Sequence, residues 1–297
     1  MDKNANKRPT YRGRFAPSPS GSLHFGSLIT ALASFLDAKK NNGTWLVRIE
    51  DIDPPREKPG ASDNILKTLD AFGLHWDEPV LFQSQQSQHY LDVISELFTQ
   101  QQSYYCCCTR AQIKMLGGIY QGHCRQLFQP KLDSAIRVKN DLPIDSYQDL
   151  IQGQVTCDHA LAQEDFTIFR KDGLFAYQLA VVVDDIQQNI SHVIRGCDLL
   201  TPTLRQLSFY QILKQKAPIF AHIPLAITEQ GYKLSKQNKA PAIDNNHPQP
   251  ALFSALDFLG QMPPSELKTY PVNDIISWAI ESWQLNLVPK CREIKVS

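Results

Sequence analysis

Two hydrophobic patterns alternate along the first fifty residues. Residues 11–16 form a short apolar run, and residues 44–49 form a second, β-rich run, so each predicts a strand. Between them the hydrophobic positions recur at helical spacing, at Leu28, Leu32, Phe35 and Leu36. Gly43 is expected to end this helix in a left-handed conformation. A strand, a helix and a strand predict a β-α-β unit, and therefore a parallel sheet that binds ligands where its strands end.

The alternation continues to residue 103. Ser62 is a good N-terminal cap for a helix that Gly73 ends, and a short strand at 80–83 precedes an amphipathic helix at 86–102. Residues 104–185 interrupt this rhythm and are interpreted as an insertion. Its predicted strands are 135–138, 154–157 and 167–170, and an apolar run follows that ends in Asp184-Asp185.

The sheet pattern resumes after the insertion. The predicted elements are a strand at 192–195, a helix at 204–216 with Thr203 as its cap, a strand at 221–227, and two helices within 251–288. The predicted fold class is α/β. The expected domains are two halves of a parallel-sheet core at 1–103 and 186–245, the insertion at 104–185, and a short helical segment at 246–297.

The composition of the chain argues against a membrane-spanning, secreted or disulfide-rich protein. The 297 residues are 42% hydrophobic, yet no apolar run of eighteen residues predicts a membrane span, and the polar start does not read as a secretory signal. Lysine plus arginine equals aspartate plus glutamate at 30 each, so net charge gives no general attraction to nucleic acid. Seven cysteines, three of them adjacent, predict reduced thiols in the cytoplasm rather than a disulfide framework.

The segment between the first strand and the first helix is a candidate phosphate site. Pro17 and Pro19 keep the backbone extended, and Gly26 and Ser27 fall at the helix N-terminus, where unpaired N–H groups and a partial positive charge favour an anion. His24 can donate to a phosphoryl oxygen from the same loop. On these residues alone, an ordinary strand-to-helix turn with a surface histidine is an equal alternative.

A lysine-rich loop is the second candidate phosphate site. Lys233 and Lys236 bracket Ser235 after the last predicted strand of the sheet, where their charges could stabilise a departing pyrophosphate. Taken alone, such a loop is more often simply solvated.

Four cysteines in the insertion are a candidate metal site. Cys106, Cys108 and Cys124 could give three thiolates of a tetrahedral zinc site, and Tyr120, His123 or Cys107 could supply the fourth ligand. The alternative is reduced cysteines that pack as small hydrophobic residues.

Residues 17–27 resemble the first signature of class I aminoacyl-tRNA synthetases in the form used by the glutamyl and glutaminyl branch. Arg14-Phe-Ala-Pro-Ser18 and Arg48-Ile-Glu-Asp-Ile-Asp53 match that branch, and Lys233–Gln237 falls where its second signature is expected, with Leu234 in place of the usual methionine and Gln237 in place of the usual serine. The resemblance implies a Rossmann-type catalytic core that uses ATP with Mg²⁺. It implies that ATP is bound by His24, Gly26, Ser27, Lys233, Ser235 and Lys236. Of these residues, the resemblance implies a catalytic role for His24, Lys233 and Lys236.

A substrate with two carboxylates needs two cationic anchors and an acidic group for its ammonium. By resemblance to glutamyl-tRNA synthetases, the glutamate-contacting positions are Arg14, Ala16, Ser18, Glu50, Tyr177 and Arg195. Residues 175–185 match that family's segment, except that Val181 stands where a polar asparagine is usual. Each of these residues taken singly could instead belong to a structural ion pair.

The cysteine segment resembles that of glutamyl-queuosine tRNA(Asp) synthetases, which implies one structural zinc held by Cys106, Cys108, Tyr120 and Cys124. Sixty residues follow Gln237, too few for an anticodon-binding domain of ordinary size. The resemblance therefore implies a monomer that activates L-glutamate with ATP and transfers it to the queuosine base of tRNA(Asp).

Three alternatives to this activity stay open at this point. One is a truncated synthetase that charges the 3′ end of tRNA(Glu), and another is a non-catalytic tRNA-binding paralogue. The third is a small-molecule nucleotidyltransferase, which the Arg48–Asp53 segment and the insertion disfavour.

Overall fold

A computed structural model describes residues 11–115, 117–127, 129–130, 133–234 and 241–296. Its strands are β1 (Arg12–Phe15), β2 (Thr44–Ile49), β3 (Leu81–Phe82), β4 (Ser103–Cys106), β5 (Ala135–Val138), β6 (Ser146–Asp149), β7 (Gly153–Thr156), β8 (Phe166–Phe169), β9 (His192–Gly196), β10 (Ile219–Ile223), β11 (Leu225–Ile227) and β12 (Glu293–Lys295). Its helices are α1 (Phe25–Lys40), α2 (Ala61–Ala71), α3 (Ser87–Thr99), α4 (Arg110–Met115), α5 (His159–Ala162), α6 (Tyr177–Gln187), α7 (Leu200–Ile212), α8 (Pro248–Phe258) and α9 (Val272–Ser282). Within these described residues, no helix has the length and apolar character that crossing a bilayer requires.

The parallel core predicted from the sequence is confirmed. β1 pairs with β2 and β2 with β3, while β9 pairs with β10, all in parallel. The backbone N–H of Ser191, just before β9, donates to the carbonyl of Arg12 at 2.9 Å, so β9 lies beside β1. The first and second parts of the core therefore meet at β1 and β9, where the strand order changes direction and ligands are expected to bind.

Helix α1 lies at the centre of the main hydrophobic core. One face packs on β1, β2 and β9, and the other meets α8 and α9. The buried tryptophans on either side of it keep hydrogen-bond partners: Trp45 donates to Ser34 Oγ at 3.0 Å and Trp283 donates to Asp37 Oδ1 at 2.9 Å. The C-terminal helices thus hold the helix whose N-terminus carries the candidate phosphate site.

The insertion forms a separate antiparallel sheet in the order β4-β5-β8, with β6 and β7 as a hairpin. Its strands pack with α3, α6 and α7 in a second core that includes Tyr90, Ile136 and Phe209. Helix α6, which ends the insertion, places Asp184 and Asp185 in the interior of the protein. The apolar run before these two carboxylates is therefore a buried helix.

Several predicted details are wrong, for steric or tertiary reasons. Asn42 is the left-handed residue after α1, with φ of 52°, and Gly43 is required because a Cβ there would lie 2.6 Å from the carbonyl oxygen of Tyr11. Gly60, with φ of 73°, occupies the N-cap of α2 instead of Ser62. Thr203 lies inside α7 and is not its cap.

The second half of the core also differs from the predicted pattern. The predicted strand at 221–227 is two strands, β10 and β11, because Pro224 separates them. β11 pairs in parallel with β12, which the sequence pattern did not reveal. This pairing brings the end of the described chain against the strand that precedes the lysine-rich loop.

Candidate active site

The carboxyl ends of β1, β2 and β9 open onto one cavity of about 640 Å³. Ten of the twelve residues predicted to bind ATP or glutamate line it: Arg14, Ala16, Ser18, His24, Gly26, Ser27, Glu50, Tyr177, Arg195 and Lys233. The other two, Ser235 and Lys236, lie outside the described residues. Residues from both halves of the core and from the end of the insertion therefore face the same space.

His24 is the N-terminal cap of α1, and its ring is largely buried. Nδ1 accepts a hydrogen bond from the backbone N–H of Ser27 at 3.2 Å, so the ring proton belongs on Nε2, which lies 3.0 Å from Ser27 Oγ. The imidazole is thus fixed at the positive end of the helix dipole. The predicted helix start at Gly26 and Ser27 is confirmed.

The two candidate phosphate loops contact each other at Gly26. A Cβ on Gly26 would lie 2.8 Å from the carbonyl oxygen of Leu234 and 3.1 Å from the His24 ring. Leu234 is held there because its backbone N–H donates to the carbonyl of Ala226 at 2.8 Å. The glycine therefore allows the backbone of the lysine-rich loop to approach the first turn of α1.

Lys233 extends along the same wall of the cavity. Its Nζ lies 2.5 Å from Asp198 Oδ2, in an ion pair whose two side chains are each 40% exposed. Asp198 follows β9 and also lines the cavity. A phosphate that binds Lys233 must therefore compete with this carboxylate.

Arg14 is buried and already paired. It contacts Asp185 through Nε and Nη2 at 3.2 and 3.3 Å, and Arg48 Nη2 contacts the same carboxylate at 2.7 Å. Burial would raise the pKa of Asp185, but the two guanidinium groups hold it below its ordinary value. Asp184 accepts hydrogen bonds from Gln83 Nε2 at 2.7 Å and the Tyr90 hydroxyl at 2.9 Å. This network fixes the position of Arg14, which lines the cavity.

Arg195 is also buried, but its partners are neutral groups. Its Nη2 donates to Thr203 Oγ1 and Gln206 Oε1, both at 2.6 Å, and its Nε donates to His222 Nε2 at 3.1 Å. Its Nη1 lies 3.5 Å from the Tyr177 hydroxyl at the cavity wall. No carboxylate of the described residues forms an ion pair with Arg195. The guanidinium is therefore suited to bind an incoming anion.

Glu50 directly follows β2 and lines the same cavity as Arg14 and Arg195. Burial raises its pKa from the ordinary 4.5 to about 7, with Arg48 and Arg14 opposing the shift and Asp184 and Asp185 adding to it. The backbone N–H of Glu50 donates to the carbonyl of Pro17 at 3.0 Å, which ties this residue to the loop before α1. The cavity thus offers both a carboxylate and a cation close to the candidate phosphate site.

Three cysteines of the insertion form the candidate metal centre. The Sγ atoms of Cys106, Cys108 and Cys124 lie within 4.8 Å of one another, with 3.6 Å between those of Cys108 and Cys124. Zinc–sulfur bonds of about 2.3 Å in a tetrahedron place sulfur ligands about 3.8 Å apart. The cluster therefore fits a metal ion that prefers thiolates.

The three candidates for a fourth ligand occupy different environments. The Tyr120 side chain is buried, and its hydroxyl accepts a hydrogen bond from the Cys124 N–H at 2.9 Å, while the Arg137 guanidinium lies 3.9 Å over its ring. Cys107 is exposed, with Sγ 4.0 Å from that of Cys124, and His123 is exposed outside the cluster. Burial and a hydrogen bond to Cys106 raise the pKa of Tyr120, so a phenolate there requires a metal.

Sequence reasoning missed the residues that support Arg195 and Arg14. Asp149, Gln206 and His222 belong to segments with no motif. Asp184 and Asp185 were noted as the polar end of an apolar run and as part of a segment that resembles the family, but no role was assigned to them. Charged residues that follow an uninterrupted apolar helix are a usable signal, because such residues are rarely buried without partners.

Sequence comparison identifies relatives among the aminoacyl-tRNA synthetases. A sequence model for the family "tRNA synthetases class I (E and Q), catalytic domain" matches residues 10–277. The chain is 61% identical to the glutamyl-Q tRNA(Asp) synthetase of Colwellia psychrerythraea, over 96% of this chain and 94% of that protein. It is 53% identical to the protein of the same name from Photobacterium profundum, over 96% and 92% of the two chains.

The chain is also similar in fold to solved glutamate-tRNA synthetases, at lower sequence identity. The glutamate-tRNA synthetase of Elizabethkingia anophelis superposes with a TM-score of 0.78 at 26% identity, covering 97% of this chain and 68% of that one. A glutamate tRNA ligase from Elizabethkingia meningosepticum, solved in complex with its amino acid, gives the same TM-score and identity over 97% and 67% of the two chains.

Proposed function

Since the chain belongs to the class I tRNA synthetases of the glutamyl and glutaminyl group, we propose that it is a ligase that activates L-glutamate with ATP and transfers it to queuosine in tRNA(Asp). One structural observation carries the first half of this proposal. A single cavity joins a helix N-terminus, a lysine of the second signature and a set of arginine and glutamate side chains. The relatives named glutamyl-Q tRNA(Asp) synthetase support the second half.

In the first step, an oxygen of the glutamate α-carboxylate attacks the α-phosphorus of ATP. The bond to the bridging oxygen breaks, and pyrophosphate leaves. We assign the phosphates to the first turn of α1, near His24, Gly26 and Ser27, where N–H groups and the helix dipole favour negative charge. Lys233 would exchange its contact with Asp198 for a phosphate oxygen, and Ser235 and Lys236 would bind the same group. Magnesium neutralises phosphate charge when it is bound.

The amino acid would lie between β1, β2 and β9. We assign a carboxylate of glutamate to Arg195, whose neutral partners leave its charge uncompensated, and the ammonium group to Glu50. Arg14, Ala16, Ser18 and Tyr177 complete this part of the cavity. This arrangement positions the reacting oxygen beside the helix that holds the phosphates, so catalysis rests on positioning and charge stabilisation.

In the second step, a hydroxyl oxygen of the queuosine diol attacks the carbonyl carbon of glutamyl-adenylate. An ester bond forms, AMP leaves with the electron pair, and the hydroxyl proton passes to solvent or to a nearby base. We place this step in the same cavity, since glutamyl-adenylate would form there. We propose the cytoplasm as the site of reaction, since tRNA and ATP are available there, and a monomer as the active form.

The cysteine cluster would hold one structural zinc ion. We assign Cys106, Cys108, Cys124 and Tyr120 as its ligands, because the three sulfur atoms are spaced for a tetrahedral ion and the Tyr120 hydroxyl lies against the backbone of Cys124. The ion would fix the segment between β4 and β5. No step of the reaction requires it.

The test is transfer of radioactive glutamate to purified tRNA(Asp) that carries or lacks queuosine. We expect ATP-dependent labelling only of the queuosine-containing tRNA. Labelling of tRNA(Glu) at its 3′ end would instead identify a truncated glutamyl-tRNA synthetase. Absence of both labelling and glutamate-dependent ATP–pyrophosphate exchange would refute the proposed activity and favour a non-catalytic tRNA-binding protein.

A further inference from the structure

A buried chain of three side chains stands behind the cavity. The Asp149 carboxylate lies at the end of β6, His222 is on β10, and Arg195 is on β9. His222 Nδ1 lies 2.6 Å from Asp149 Oδ2, and His222 Nε2 lies 3.1 Å from Arg195 Nε. His222 is fully buried and Asp149 is 1% exposed, so neither can touch a substrate.

The hydrogen bonds determine where the histidine proton lies. A guanidinium can only donate, so His222 Nε2 must be an unprotonated acceptor. The single proton of the neutral ring is then on Nδ1 and is donated to Asp149. Burial, the largest influence, lowers the pKa of His222, and the charge of Arg195 acts in the same direction.

The same contacts determine which nitrogen of Arg195 faces the cavity. Both hydrogens of Nη2 are directed to Thr203 and Gln206, and the Nε hydrogen is directed to His222. Nη1, near the Tyr177 hydroxyl, is the nitrogen left to meet a ligand. Loss of the Nε contact would remove one of the three hydrogen bonds that fix the plane of the guanidinium and the position of Nη1.

We propose that Asp149 and His222 are positioning residues for glutamate binding, and that Asp149 acts by holding His222 in the tautomer that accepts a hydrogen bond from Arg195. This inference rests on the proposed function only through the identity of the amino acid. Neither residue touches glutamate, and neither takes part in the chemical step.

The variant Asp149→Asn tests the tautomer without changing the shape of the site. Asp149 Oδ1 accepts from the backbone N–H groups of Ile151, Gln152 and His222 at 2.9 to 3.1 Å, and the amide oxygen of asparagine can keep all three bonds. Its NH₂ group would occupy the Oδ2 position and donate to His222 Nδ1. The ring proton would then move to Nε2, where it can be donated to Thr203 Oγ1, 3.2 Å away, and where Nε2 can no longer accept from Arg195.

We expect Asp149→Asn to weaken glutamate binding roughly ten- to hundred-fold, the range for hydrogen bonds to a charged group. Calorimetry gives the Kd for glutamate, and ATP–pyrophosphate exchange gives the KM for glutamate, the KM for ATP and kcat. The KM for ATP and kcat at saturating glutamate should stay within about twofold, since only the anchor of the amino acid is displaced.

A second substitution should restore binding in the same background. In His222→Gln the amide oxygen can reach the position of Nε2 and accept from Arg195 whatever residue 149 is. The double variant Asp149→Asn/His222→Gln should therefore bind glutamate more tightly than Asp149→Asn alone. Nitrogen NMR of the imidazole rings, with the His222 signal assigned by its loss in His222→Gln, reports the tautomer directly.

The matched control is Asp37→Asn, a buried aspartate on α1 that binds the Tyr11 hydroxyl and Trp283 Nε1 away from the cavity. It should lower Tm and leave the KM for glutamate unchanged. A switched tautomer with unchanged glutamate affinity in Asp149→Asn would overturn the proposal. So would an equal loss of glutamate and ATP affinity, or a wild-type ring protonated on Nε2.

If Asp149→Asn does not fold, His222→Leu compared with His222→Gln decides the matter, because only glutamine supplies an acceptor. Equal glutamate affinities of these two variants would overturn the proposal. Wild-type protein that binds glutamate in the calorimeter but shows no exchange would refute the proposed activity and leave the positioning role testable by Kd.

Discussion

Glu50 should make glutamate binding depend on pH near neutrality. Its pKa is raised to about 7, chiefly by burial, so the carboxyl group is about nine-tenths ionised at pH 8 and about one-tenth ionised at pH 6. Only the ionised form can attract the ammonium group of the substrate. Glutamate itself keeps both carboxylates and its ammonium charged over this range. The KM for glutamate should therefore rise about tenfold from pH 8 to pH 6.

The same shift predicts an effect on stability with a defined sign. A carboxyl group whose pKa is higher in the folded protein favours folding below its unfolded pKa, and this advantage is lost as the pH rises through the folded value. The interval from 4.5 to about 7 corresponds to about 3 kcal/mol. Glu50→Gln should consequently raise Tm at pH 8 and leave it nearly unchanged at pH 4.5.

ATP–pyrophosphate exchange between pH 6 and pH 8.5 measures the first effect, and thermal unfolding at the two pH values measures the second. In Glu50→Gln the KM for glutamate should be high and should no longer depend on pH, which separates the effect of Glu50 from any effect of His24, the histidine that lines the cavity. A wild-type KM that does not change with pH would refute the assignment of Glu50 to the ammonium group. A Tm difference of the same size at both pH values would refute the raised pKa.

Three further predictions concern other parts of the chain. Lys236→Ala should abolish glutamate-dependent pyrophosphate exchange, and unchanged exchange would contradict the role given to the second signature. Gly26→Ala should raise the KM for ATP by roughly tenfold or more, because its Cβ would lie 2.8 Å from the Leu234 carbonyl and force the loops apart, whereas an unaltered KM would show that the contact is dispensable. Cys108→Ser should lower the zinc content measured by atomic absorption from one ion per chain toward none and reduce Tm, while Cys157→Ser, outside the cluster, should change neither.

Local patterns were sufficient to predict the first half of the core. The strand, helix and strand from Arg12 to Ile49 each carry their own periodicity, and the cap at His24 lies within the same segment. The end of α1 was harder, because the reason for Gly43 is the nearby carbonyl of Tyr11 and not its own backbone angle. When a residue at a turn is required by a contact with a residue distant in sequence, the neighbouring residues in the chain do not indicate that requirement.

In the second half of the core, the sequence pattern also failed to predict contacts that form the site. Threonine is a residue type that often caps helices, but Thr203 lies inside α7. Its hydroxyl donates to the carbonyl of Leu199 at 2.6 Å and accepts a hydrogen bond from Arg195. His222 and Asp149 are 73 positions apart and meet only after the insertion folds against β10. Pairings of this kind depend on tertiary structure, so a periodicity or a motif could not reveal them.

The sequence also presented Arg14 and Arg195 as equivalent anchors, and the structure separates them by their partners. Asp185 compensates Arg14 and Arg48 together, whereas Arg195 is held by a threonine, a glutamine and a neutral histidine. Burying a guanidinium without a carboxylate partner costs roughly several kcal/mol of folding free energy, because the lost hydration is only partly replaced. A carboxylate ligand supplies the missing charge and removes that cost. The asymmetry therefore makes Arg195 the arginine whose electrostatic environment changes most when the amino acid binds.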